Sequence, residues 1–451
     1  MIEFTLIVFS FFIIFQVIYI FIPLLYVKDR EPIRNSDFEQ PISILIPAYN
    51  EANTILLCVQ GVVLQDYNKY EVIIINDGST DNTLDILTKD LQLKKINKNP
   101  NHFLVHVQEK AIYQSKRHPN IYVLDKVNGG KADALNAGIN YASNEIIITL
   151  DADSILDAKA LQVINTTFEN QHVIAAGGMV RIRQGFRSVF AKARPTFVTK
   201  GLIRYQIIQY LTAFYLHKFT QAKLQTITVI AGAFGAFRKY ALLEVNGYRK
   251  TVGEDMDITL KIQQLIKEKY KKSIITFVPQ SICYTECPST LIDLFRQRVR
   301  WQKAFIDCVL HYRKAYFRKI KLLPSLYLLL DSFVLGTLNA FIMIYIPFTF
   351  LFSNTNYMIA VGLFTIVFFL ANYQSLVTII VSRRFGLFYS LKDYVKIILF
   401  IPIEIVTYRF LGIPFVIIGT ILYFKNKEGW IVSRRASPST FENPTSFKET
   451  V

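Results

Sequence analysis

No charged side chain occurs from Phe4 to Val27, a run of about 24 residues. At ~1.5 Å per residue, a helix of that length crosses the ~30 Å hydrocarbon core of a bilayer. The chain therefore has to fold partly in lipid. A cleaved signal peptide fits poorly, because no basic residue precedes the run and no small-residue cleavage site closes it. Two more membrane-length runs follow, about Leu326 to Phe352 and Tyr357 to Val381, separated by the uncharged Ser353–Asn356 loop.

Basic residues set the orientation. Lys28, Arg30 and Arg34 follow the first run, and Ser382-Arg383-Arg384 follows the third. The positive-inside rule then puts the N-terminus and the Ser353–Asn356 loop outside, with Lys28 to about Pro324 in the cytoplasm. A last apolar tract runs from about Val395 to Tyr423, is broken near Gly412 and Pro414, and ends in Lys425-Asn426-Lys427. That break favours a re-entrant hairpin or two short passes, returning the tail to the inside. Glu404 and Arg409 lie within the tract. They face a bundle interior or a water-filled path, or else Arg409 marks the turn between the passes.

The division predicted is an N-terminal membrane helix (1–27), a cytoplasmic domain (28–290), interfacial helices (291–325), a C-terminal membrane region (326–425) and a disordered, Ser/Thr/Pro-bearing tail (426–451). This describes a multi-pass protein of the plasma membrane whose globular part is cytoplasmic. The formal charge of +17 suits anionic lipid at the cytoplasmic leaflet. No nucleic-acid module is legible, and nucleic acid is not an expected partner. Cys58, Cys283, Cys287 and Cys308 are expected as reduced core thiols, since no second Cys/His pair stands at zinc-like spacing.

From residue 41 to 150 short β-branched runs alternate with helical stretches. Ile42–Pro47, Glu71–Asn76, Ile121–Leu124 and Glu145–Leu150 read as buried strands; Asn53–Gln65, Asn82–Leu91 and Lys131–Tyr141 read as helices. Such alternation implies a doubly wound, mostly parallel α/β sheet, with its ligand crevice at the carboxyl ends of the strands. Tyr49, Asn50, Glu51, Asp77, Asp151 and Asp153 fall at those ends. Residues 92–119 read as a basic surface excursion.

Asp151-Ala152-Asp153 closes an apolar strand. Alternation would aim both carboxylates the same way, towards one hard cation, Mg²⁺ or Mn²⁺; helix capping is the plain alternative. Gly129-Gly130-Lys131 opens a helix whose amides and ammonium can face phosphate. Glu254-Asp255-Met256-Asp257 supplies three carboxylates, and an acidic helix start explains them equally well. In Gln297-Arg298-Val299-Arg300-Trp301, Arg300 can offset a departing diphosphate. Trp301 offers a flat face to a sugar ring, although Trp and Arg are also common interface anchors.

The order D-x-D, E-D, Q-x-x-R-W between membrane runs resembles the processive, membrane-embedded inverting glycosyltransferases of family 2. These include cellulose, hyaluronan, chitin and poly-N-acetylglucosamine synthases. The resemblance runs from the strand before Tyr49 to the helix after Trp301. It implies a GT-A-like α/β catalytic domain beneath a helical transmembrane bundle. It also implies roles. Asp77 contacts the nucleotide base, with Tyr49 and Glu51 in the same pocket. Lys131, Asp151, Gln297 and Arg300 bind the nucleotide sugar, and Asp151 and Asp153 hold the metal. Asp255 is the general base and Arg300 assists catalysis. Gly232, Phe234, Glu254 and Trp301 meet the acceptor. Glu254 and Asp257 compete with Asp255 for the role of base. Three positions depart from the family pattern: Asn76 for an aspartate, Ala231 for a serine and Ala304 for a glycine.

The expected function is processive transfer from a UDP-sugar, UDP-N-acetylglucosamine first and UDP-glucose next, to a growing polysaccharide that the membrane segments export. An accessory membrane subunit is admitted as a partner. The rivals are a transferase adding one sugar to a membrane lipid, whose family relatives generally lack Q-x-x-R-W, and a silent scaffold, in which the carboxylates would have decayed.

Overall fold

A computed structural model describes residues 2–27, 36, 38–102, 104–190, 193–341 and 357–425. The expectations for the Lys28–Arg34 cluster, the Ser353–Asn356 loop and the tail from 426 lie outside the described residues.

The first four expected strands form where β-branched residues are continuous: β1 (Ile42–Ala48), β2 (Tyr70–Asp77), β5 (Ile121–Lys126) and β6 (Ile146–Leu150). β1 pairs in parallel with β2 and β6, and β2 with β5, so all four carboxyl ends open on one side. Between them run α2 (Ile55–Val63), α3 (Thr83–Leu91) and α4 (Lys131–Tyr141). α4 begins where Gly130, at φ 93°, breaks the preceding extended chain.

The whole sheet has ten strands in the order β3-β4-β5-β2-β1-β6-β9-β8-β10-β7 and is mixed rather than mostly parallel. The expected surface excursion contributes its edge: β3 (Leu93–Ile96) and β4 (Glu109–Ser115) pair antiparallel and extend β5. Lys94 and Lys95 stand exposed on this outermost strand, the usual guard against edge-to-edge association. On the other side, β9 (Phe234–Arg238) lies antiparallel between β6 and β8 (Val173–Ile182). β10 (Ile274–Thr285) runs parallel to β8, and β7 (Ile155–Leu156) closes that edge.

The remaining helices are α5 (Ala160–Phe168), α6 (Gly201–Thr212), a π-helical turn Ala213–Lys218, α7 (Phe219–Lys223), α8 (Lys239–Glu244), α9 (Glu254–Glu268), α10 (Leu291–His311) and α11 (Leu322–Tyr327). A π-helical stretch, Leu328–Leu338, continues α11. All four cysteines are buried thiols.

Four helices are long and apolar enough to cross a membrane: Phe9–Tyr26 within α1 (Ile2–Tyr26), Leu322–Phe341, Val361–Arg384 and Leu391–Lys425. Arg384 donates to the carbonyls of Leu24 and Val27, at 2.9 and 3.0 Å. It thereby caps the end of α1, so both helices finish at the face from which β1 departs. The last tract forms no hairpin. Leu391–Lys425 is one helix running through Pro402 and Pro414; in an apolar setting, neighbouring groups satisfy the backbone that a proline frees, so the break expected at Pro414 does not follow.

Candidate active site

The donor side is built from loops tied to one another. Asp77, at the end of β2, is 2% exposed. Its Oδ1 accepts from Lys126 Nζ (2.7 Å) and the Gly129 amide (3.0 Å), and its Oδ2 from the Gly130 amide (2.8 Å). Lys126 also bridges to Asp133 at 2.5 Å. A Cβ on Gly129 would fall 2.3 Å from that same carboxylate. Asp77 thus organises the Gly-Gly-Lys131 turn. Asn50, left-handed at φ 57°, accepts the amides of Thr80 (2.8 Å) and Asp81 (3.3 Å) through its Oδ1, joining the loops after β1 and β2. Glu51 is buried, and its carboxylate accepts from the Thr54 hydroxyl at 2.7 Å. Tyr49 is half-buried beside them.

Asp151-Ala152-Asp153 is a tight turn rather than a strand end. The Ser154 amide bonds the Asp151 carbonyl at 2.9 Å, so the alternation expected of a strand does not apply. Asp151 Oδ1 lies 2.7 Å from Lys131 Nζ. Asp153 accepts from Thr285 Oγ1 at 3.3 Å, and the Arg183 guanidinium, paired with Glu286, is near it. Among the described residues no group of three His, Cys, Asp or Glu side chains could hold a metal by itself. Two hard carboxylates fit a cation that takes its other ligands from substrate phosphates and water, the habit of Mg²⁺.

Lys131 also reaches Glu254 Oε1 at 3.1 Å, so it clamps the D-x-D turn to the start of α9. Burial by itself would lower its pKa, but Asp151 and Glu254 outweigh that and hold it above the ordinary lysine value. Burial raises the Glu254 carboxyl, with Lys131 opposing. Lys131, Thr149, Gly232, Tyr248, Glu254 and Asp255 help to line a pocket of about 240 Å³. Asp255 Oδ2 accepts from the Gly232 amide at 3.3 Å. A Cβ on Gly232 would sit 2.9 Å from Lys131 Nζ, so only glycine leaves this pocket open. Phe234, expected to face the acceptor, is instead fully buried in β9 and packed over Gly178.

The three acidic residues of α9 part company. Asp257 is 0% exposed and held by Arg249 Nε (2.7 Å) and the Tyr312 hydroxyl (2.9 Å). It is a structural ion pair, which removes it as a rival base. Arg249 also donates to Asp307 of α10 at 2.7 Å, and Asp307 accepts from Thr251 Oγ1 at 2.9 Å. A Cβ on Gly253 would lie 2.7 Å from that of Ala304, so the loop before Asp255 rests on the helix bearing Q-x-x-R-W. Ala304 stands where the family often has glycine, and a small residue suffices for this approach. Trp301 is 40% exposed, with the Arg298 guanidinium 4.3 Å from its ring centroid. Gln297 Oε1 is buried without a hydrogen-bond partner, and Arg300 is half-buried one turn before Ala304.

Lys126, Arg249, Asp307, Arg183, Thr285 and Lys218 were not singled out by sequence reasoning. A lone acid in the mostly apolar and basic helix after Trp301 was the available signal for Asp307. Lys218, in the π-helical turn, donates to the Val229 carbonyl; burial pushes it down to about 8, against the pull of Asp255.

A mixed sheet with carboxylates at its carboxyl edge, joined to apolar helices, defines a GT-A-type glycosyltransferase fold. The chain matches Glycosyl transferase family 2 over residues 43–245 and Glycosyl transferase family group 2 over residues 146–373. It is 30% identical to the poly-beta-1,6-N-acetyl-D-glucosamine synthase of Staphylococcus epidermidis over 318 residues, which are 69% of this chain and 66% of that one. It is 30% identical to the synthase of the same name from Staphylococcus aureus strain MSSA476 over 324 residues, 71% of this chain and 67% of that one. The chain thus spans about two thirds of the length of the curated relatives it matches. In fold it is similar to the mannosyltransferase PcManGT from Pyrobaculum calidifontis, solved with GDP-Man and Mn²⁺ (TM-score 0.51, 16% identity, 93% of this chain and 100% of that one). The chain belongs to glycosyltransferase family 2.

Proposed function

We propose that this protein is a processive, inverting β-glycosyltransferase of the plasma membrane, with its catalytic domain on the cytoplasmic side. It moves a hexose from a UDP-sugar to a growing polysaccharide. UDP-N-acetylglucosamine is the first candidate donor, in keeping with the names of its relatives, and UDP-glucose the second. The observation that carries the proposal is Asp255. It lines the pocket shared with Lys131 and Gly232, two residues from the contact that joins its loop to the Q-x-x-R-W helix.

In this reading Asp255 takes the proton of the acceptor hydroxyl as that oxygen attacks the anomeric carbon. The bond from that carbon to the diphosphate breaks on the opposite face, giving a β-linkage from an α-linked donor. Lys131 turns from Asp151 and Glu254 towards the diphosphate, and Arg300 adds positive charge there. Gln297 offers its unpartnered carbonyl oxygen to the nucleotide sugar, and Trp301 stacks on the acceptor ring. Asp151 and Asp153 would hold a divalent cation, Mg²⁺ or Mn²⁺, which when bound neutralises diphosphate charge.

The export path is proposed to pass Tyr19, Tyr327, Gln221 and His217. Their hydroxyls, amide and ring meet between α1, α7 and the later apolar helices, with Tyr19 donating to Tyr327 at 3.0 Å and Gln221 to Tyr327 at 2.6 Å. The test is to supply purified protein with a panel of UDP-sugars and analyse the linkage of any product. A β-linked polymer from UDP-N-acetylglucosamine is expected; a single sugar on lipid would refute processive synthesis.

A further inference from the structure

The Leu391–Lys425 helix touches the catalytic side at both ends, which a membrane crossing does not do. Tyr389, just before it, lines a cavity with Arg181 of β8 and Tyr215 of the π-helical turn. Phe400 packs on Tyr205 of α6 at 4.8 Å, and Tyr408 stacks on the same ring at 5.1 Å. At the far end Thr420 accepts from Gln302 of α10 (3.1 Å), and Tyr423 donates to Asp307 Oδ1 (3.2 Å), the residue that also holds Arg249 beside the base loop. The helix lies along α6 and α10 for its whole length.

Length and charge agree. Thirty-five residues at ~1.5 Å each make roughly 52 Å, against ~30 Å of hydrocarbon, and spanning with that much helix needs more than the ~40° upper range of tilts. Glu404 and Arg409 flank the helix midpoint, where a crossing would set them at the bilayer centre at a cost of roughly 2.5–3.5 kcal/mol each. The face turned away from α6 and α10 is an exposed apolar stripe, from Leu391 and Val395 through Leu399, Ile403 and Phe410 to Phe424. Lys392 and Lys396 at one end and Lys425 at the other stand where anionic headgroups would meet them.

We propose that this helix does not cross the membrane. It lies in the plane of the cytoplasmic leaflet, seats the catalytic domain on the lipid surface by its apolar stripe, and leaves Lys425 on the catalytic side. The hairpin expected from Gly412 and Pro414 is replaced by a continuous helix that leads to the same side.

The test uses the full chain in cells, with single cysteines added to the native background, whose four thiols are buried and give a low blank. Asn426→Cys is compared with Glu169→Cys, on the catalytic domain, and Asn354→Cys, in the loop between apolar runs. A membrane-impermeant maleimide should label Asn426→Cys only in inside-out vesicles, as it does Glu169→Cys. Labelling on intact cells together with Asn354→Cys would overturn the proposal. A second reading uses fluorophores at Leu399→Cys and Phe424→Cys in vesicles carrying shallow or deep nitroxide lipids. An in-plane helix gives preferential quenching of both by the shallow probe; quenching of one by the shallow and of the other by the deep probe would again overturn it.

Discussion

The two sides of the pocket are held in different ways. On the donor side, Asp77, Lys126, Asp133 and Asn50 bond to loops lying between β1 and α4. On the acceptor side, the loop before Asp255 is fixed from outside the sheet, through Arg249 and Gly253 to α10, and through Asp307 to Tyr423 on the last apolar helix. Donor binding can therefore be preorganised by the α/β sheet alone. The acceptor geometry depends on helices that rest on the membrane. Damage to one side should leave the other readable.

The largest effect expected is on the donor side. Chelation of divalent cations should abolish transfer, with restoration by Mg²⁺ or Mn²⁺, and Asp153→Ala should weaken UDP binding as well as turnover. Full activity in excess chelator would remove the metal from the account. On the acceptor side, Trp301→Ala should lower elongation by roughly 10²-fold, the scale of a misplaced reactant, while UDP affinity measured by titration calorimetry stays unchanged. A parallel loss of UDP affinity would merge the two sides. Asp257→Asn should act on folding: breaking a buried ion pair costs roughly 3–5 kcal/mol, to be read as a lowered unfolding midpoint in detergent. The smallest effect belongs to Tyr423→Phe. Losing one hydrogen bond, worth ~1 kcal/mol, should slow elongation a few-fold and spare donor hydrolysis. An equal fall in both would mean that Tyr423 serves general stability.

The parallel half of the sheet was legible because each strand is a continuous β-branched run and α4 opens at Gly129-Gly130. β3, β4 and β9 were not, since their short or glycine-bearing segments gain strand character only from neighbours already in the sheet. Among the candidate residues, the spacing brought Asp151, Lys131, Glu254, Asp255 and Gly232 correctly to one place. Phe234 went the other way, because a motif does not state which face of a strand is buried. The separation of Asp255 from Asp257 rests on Arg249 and Tyr312, and no local pattern links Tyr312 to an acid 55 residues earlier. The continuous last helix was misread for a related reason: proline breaks helices in water, whereas packing decides in an apolar setting.

The central claim is that Asp255 performs chemistry without holding the donor. Asp255→Asn keeps the shape of the side chain and removes its basicity. On purified protein with UDP-N-acetylglucosamine, UDP affinity should match that of the wild type while transfer falls roughly 10²–10⁴-fold, the range of a lost general base. Transfer at the wild-type rate would contradict the account and move the base to Glu254.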